Sequence, residues 1–135
     1  MASCSTYLAN KLLDHVFGKD PFTADDDLEV RFYSTIPNSD GSGGLEISDP
    51  GYAPIPLDNS FGAGTFADAV ARQKLNDVVL PIPAATGDWA TIVAWKILDS
   101  SGNVYTFGLL QTPLSIKNGD TGRTIPIGAL IQNLT

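Results

Sequence analysis

One corner constrains this chain more than any other feature. Pro83-Ala84-Ala85-Thr86-Gly87-Asp88-Trp89-Ala90 turns the backbone into an apolar run over residues 91–98, which ends at the turn Ser100-Ser101-Gly102-Asn103. A short apolar run bounded by turn residues reads as a buried strand. Alternation along it places Val93, Trp95 and Ile97 on one face and Ala94 and Lys96 on the other. Residues 104–111 and 125–133 are further apolar or alternating runs, the second preceded by the turn-rich Lys117-Asn118-Gly119-Asp120-Thr121-Gly122. Strands recurring about every ten residues with no helix between them predict antiparallel pairing and argue against a parallel α/β sheet.

The N-terminal half is more varied. Leu8, Leu12, Leu13, Val16 and Phe17 fall at the spacing of one helix face, with Ser3 or Ser5 as a cap and Gly18 as a stop. The expectation is an amphipathic helix over 5–17 with Leu8, Leu12 and Val16 turned inward. Residues 28–34 alternate Leu28, Val30 and Phe32 against Glu29 and Arg31, the pattern of a strand with one wet face. The stretch Pro37-Asn38-Ser39-Asp40-Gly41-Ser42-Gly43-Gly44 reads as a mobile surface loop, and residues 45–48 as a short strand. Pro54 and Pro56 lack the N–H that a central strand donates, which sends residues 52–57 to a sheet edge or across an end. Residues 67–70 fit a helical turn or a strand, and 74–80 a strand. Together these predict a mainly β fold: an antiparallel, jelly-roll-like β-sandwich with one N-terminal α-helix.

At 135 residues the chain is expected to form a single domain over 1–135, with the helix in 1–18 and the sandwich in 28–135. A net charge of −7 with only 8 dispersed Lys and Arg disfavours nucleic acid as a partner, because phosphate neutralisation needs clustered cations. The single Cys4 forms no internal disulfide, so folding in a reducing cytoplasm fits. Neither a secretory leader nor an apolar run of membrane-spanning length is evident, so no membrane association is expected.

The residue inventory offers little chemistry. His15 is the sole histidine and lies beside Asp14 on the expected helix, so nucleophilic catalysis lacks a base near a nucleophile. One histidine and one thiol leave no zinc set. Asp25, Asp26 and Asp27 could offer oxygens to calcium, but they are consecutive rather than alternating and no closing Glu follows at loop spacing. Gly62-Ala63-Gly64 lacks the third glycine of a dinucleotide loop and is better explained by close backbone packing. The expectation is therefore a non-enzymatic protein without cofactors. Asp88 and Trp89 form either a packing corner or a glycan platform, since an exposed indole can stack on a sugar face. Tyr7, Lys11 and His15, off the expected inward stripe of the helix, are the first candidate interface.

The order of these landmarks resembles a family of small tailed-bacteriophage virion proteins commonly labelled tail fibre proteins. That family opens with a helix of the form LANALLDHVF, continues with an alternating strand and a Gly-rich loop ending near a Tyr, and carries a PAATxDWGTV corner before a turn-linked strand pair. Residues 8–17, 28–34, 40–52, 83–93 and 96–107 match in that order. The chain departs at Pro54, where the family often has Arg after the Tyr-Ala pair, and at Ala90, where it usually has Gly. The resemblance implies a virion structural protein assembled in the host cytoplasm, with other virion proteins and copies of itself as partners. It implies placement in the tail or tail-fibre assembly. Capsid decoration is the alternative, and a module binding host-surface glycans the second.

Overall fold

The computed structural model describes residues 2–60, 64–71, 73–126 and 129–133. Its main layer is a five-stranded antiparallel sheet that runs, edge to edge, through β1 (Ala2–Cys4), β7 (Val104–Leu114), β6 (Ile92–Asp99), β2 (Asp27–Tyr33) and β3 (Ile55–Asp58). Two short ribbons supply the second layer: β4 (Gln73–Leu75) with β9 (Ile131–Asn133), and β5 (Leu80–Pro81) with β8 (Thr124–Ile125). With the helix α1 (Thr6–Val16), this is the mainly antiparallel β fold expected, built from open sheets.

Register explains the core. Leu28 lies opposite Leu57, Val30 opposite Ile55 and Ile97, and Phe32 opposite Trp95. Directly paired residues share a face, so these side chains form one apolar surface, which packs against Ile47, Leu80, Ile82, Trp89, Ile92, Ile116, Ile125 and Leu130. Arg31, Lys96 and Phe107 stand in a row on the reverse face. That face is covered as well, and Lys96 is only 4% exposed. Its ammonium donates to Gly43 O at 2.6 Å and lies 4.6 Å from the centre of the Tyr33 ring.

The cover is the glycine-rich loop, which is fastened rather than mobile. Asn38 N–H donates to Ser42 O at 2.8 Å, Ser42 N–H to the Asp40 carboxylate at 2.9 Å, and Thr6 N–H to Asp40 O at 3.2 Å. Gly41 has φ +91°, and a Cβ there would stand 3.0 Å from the Phe107 ring. Glycine is thus needed for both conformation and fit.

Several expected elements change at their ends. The single strand foreseen over 74–80 splits into β4 and β5, because Asn76 is drawn into the core between them and is 1% exposed. The 125–133 run likewise splits into β8 and β9 after Pro126, which has no N–H for a ladder. No helical turn forms at 67–70; Val70 instead pairs with Gln73 in a tight hairpin whose Ala71 has φ +52°. Residues 45–48 contribute one isolated bridge, Tyr33 to Glu46. The proline-bearing segment does sit at an edge, since β3 pairs with β2 alone. Residues 61–63, including Gly62 and Ala63, lie outside the described residues.

The helix corrects its predicted stripe. Ser5 caps it by accepting from Leu8 N–H at 3.1 Å, and its own hydroxyl donates to Val104 O. Tyr7 and Leu8 pack against the core, but Leu13, Val16 and Phe17 are 57%, 67% and 80% exposed. The cause is attachment at one end: Ser5 N–H bonds Tyr105 O and Tyr7 stacks on Tyr105, so the first turns touch the sheet and the last turn projects from it.

Candidate functional site

The Trp89 corner is a clamp between two loops. Trp89 is 4% exposed, its indole N–H donates to Pro50 O at 2.8 Å, and its ring meets Tyr52 edge-on at 5.6 Å. Its backbone N–H reaches Ile116 O at 3.0 Å, while Ala90 N–H donates to the Asp49 carboxylate at 2.7 Å. On the far side the exposed Asp88 accepts from Asn118 N–H at 2.8 Å, and Ala85 exchanges backbone bonds with Asp120 and Gly119. Trp89 is therefore packed between the loops with its indole buried, while Asp88 stays exposed and holds the 116–120 segment through Asn118 N–H. Ala90 is exposed, so its methyl in place of the family's glycine meets no core residue.

The acidic run serves as a staple. Asp25 accepts from Asp27 N–H and Ser100 N–H, both at 3.0 Å, and from the Ser100 hydroxyl. These bonds, the Ser100 hydroxyl first, hold the Asp25 carboxyl below the usual carboxylate range. They tie the start of β2 to the β6–β7 turn. Asp26 and Asp27 are exposed beside it. Among the described residues no group of three or more His, Cys, Asp and Glu side chains is arranged to hold a metal ion.

The three helix candidates separate. Tyr7 is turned inward, stacked on Tyr105 with ring centres 6.2 Å apart, which corrects its expected place off the inward stripe. Lys11 and His15 are exposed. His15 Nδ1 accepts from Phe22 N–H at 3.0 Å. Near them, Leu13, Val16 and Phe17 form an uncovered apolar end that sequence periodicity assigned to the interior. Cys4 sits on edge strand β1 opposite Thr106, and burial pushes its thiol pKa up, away from a reactive thiolate.

Two features carried no signal in the sequence. A groove of about 190 Å³ opens between β7 and the glycine-rich loop, lined in part by Ser3, Ile36, Pro37, Phe107 and Leu109. Near β2 lies a polar cluster: the Arg31 guanidinium contacts Glu29 and, at 3.3 Å, Glu46, whose other oxygen accepts from the Tyr52 hydroxyl at 2.9 Å. These residues are up to 23 positions apart (29 to 52), so no local pattern announces them. Among the described residues no helix is long and apolar enough to cross a membrane.

Comparison with known families finds one model, described as podophage GP4 fiber I protein gp80, that matches residues 3–133. No curated protein matches the chain.

Proposed function

The chain belongs to the podophage GP4 fiber I protein family, and on that premise we propose that it is a non-enzymatic structural subunit of the tail-fibre assembly. It docks to other virion proteins and to copies of itself. The match over residues 3–133 carries this reading, because it takes in α1, the clamp and almost all of the strands. The projecting end of α1, with Leu13, Val16 and Phe17 flanked by Lys11 and His15, is its first contact surface. An exposed cluster of large apolar side chains costs solubility unless a partner covers it. The acidic balance favours protein over nucleic acid as that partner, and a lone cysteine is compatible with assembly in the host cytoplasm.

Sedimentation velocity of the full chain tests the contact. The wild type sediments as an oligomer, and a Val16→Asp, Phe17→Asp double variant sediments as a 14.3 kDa monomer with an unchanged far-ultraviolet circular dichroism spectrum. A wild type that stays monomeric at high micromolar concentration would remove self-association through this surface. Capsid decoration is the alternative placement, separated by copy number per particle. A glycan-binding module loses its aromatic platform with the burial of Trp89, leaving only the polar tip of the 38–44 loop.

A further inference from the structure

We propose that His15 is a proton-operated latch that holds the segment following α1 against the helix and releases it on acidification. Phe22 N–H donates to His15 Nδ1 at 3.0 Å. A ring nitrogen that accepts a hydrogen bond carries no proton, so the contact requires a neutral imidazole with its proton on Nε2. Protonation places one N–H against another and the bond is lost.

The latch sits where the backbone has few alternatives. Lys19 and Asp20 N–H groups close the helix end on Asp14 O at 2.8 and 3.3 Å, and Gly18 makes the turn at φ +78°. Pro21 then contributes no N–H. The Phe22 bond is the next link, and it positions a ring that meets Tyr105 edge-on at 6.0 Å. Tyr105 in turn stacks on Tyr7 and accepts from Asp25 N–H at 3.2 Å. One hydrogen bond thus joins the free end of the helix to the aromatic group that anchors its other end.

Lys11 and Asp14 on the helix and Lys19 and Asp20 beyond it are the titratable neighbours in sequence, with Tyr105 and Tyr7 behind Phe22. Among the described residues none of them forms an ion pair with His15. His15 lies in the last helical turn, where the helix dipole favours a cation. The acid form therefore releases the segment while leaving α1 wound.

Amide exchange of the ¹⁵N-labelled full chain tests the latch, with the protection of Phe22 N–H taken relative to its intrinsic rate at about pH 7.5 and about pH 5.5, a window that spans histidine titration. Wild-type protection falls about fivefold on acidification, the worth of one hydrogen bond, while β2 and β6 amides are unchanged. His15→Asn, whose side-chain oxygen accepts at either pH, keeps Phe22 protected at both. His15→Ala leaves it unprotected at both. Equal wild-type protection at the two pH values, or a His15→Asn protein that loses protection as the wild type does, would overturn the proposal.

Discussion

Asn76 shows how much a single polar side chain carries in this fold. Its amide N–H groups donate to Val78 O at 2.9 Å and Pro126 O at 3.0 Å, and its oxygen accepts from Leu130 N–H at 2.9 Å. It thereby joins three segments of the second layer. Asn76→Ala strands two carbonyls and one N–H, an expected loss of about 3–5 kcal/mol in urea unfolding. From sequence alone an asparagine there reads as polar punctuation within a strand; its partners lie as far as 54 residues away, and only the fold brings them together.

Ionisable residues set a pH window by a similar local chemistry. Asp25, Asp40 and Asp58 are held below the usual carboxylate range, each first by a serine hydroxyl, from Ser100, Ser42 and Ser60 respectively. A carboxyl depressed in the folded state stabilises above its unfolded value of about 4, and that contribution is lost as pH falls through the folded value. Burial raises Tyr33, Tyr52 and Tyr105. Their contribution is present below the unfolded value of about 10 and is lost as pH rises through the raised folded values. Lys96, lowered by burial, acts in the opposite sense at alkaline pH. Urea midpoints measured against pH should therefore drop below about pH 4, with a smaller drop in Ser60→Ala. Above about pH 10 the Tyr52→Phe protein should lose less stability than the wild type, a comparison that isolates the tyrosine.

Among the elements, β2, β6 and β7 were legible because each has a hydrophobic pattern long enough to show its period, and β3 because its prolines fit only an edge. The core identity of Trp95 followed from the same alternation. Where the pattern failed, the deciding interaction was long-range. The helix stripe was real in sequence, yet α1 packs on the sheet through its capped first turns, so Val16 and Phe17 face solvent. The glycine-rich loop looked mobile because its bonds to Lys96 and Thr6 have no local signature. The Trp89 corner announced a turn, but its role as a clamp depends on residues 49–52 and 116–120. Gly51 is the sensitive point of that clamp: it has φ +87°, and a Cβ would come within 2.4 Å of Ala84 O. Backbone cannot yield as a flexible side chain can, so Gly51→Ala should destabilise by about 2–4 kcal/mol. Thermal unfolding checks this, with Gly102→Ala as the control, since Gly102 shares a positive φ but has nothing within 4 Å.

The described residues combine a packed apolar core with uncovered apolar side chains outside it. Leu13, Val16 and Phe17 project from α1; Ile36, Leu45 and Leu109 are exposed elsewhere, as are Val70, Val78 and Val79. The proposed repeated subunit, with neighbours on several sides, would bury such side chains, and in a closed assembly such contacts would recur by symmetry. Fibre-family membership supplies the setting. Quantitative mass spectrometry of purified virions, calibrated against the major capsid protein, tests the placement most directly. A tail-fibre subunit is present at a few to a few dozen copies per particle. Hundreds of copies would move it to the capsid surface, and its absence from particles would contradict a structural role in the virion.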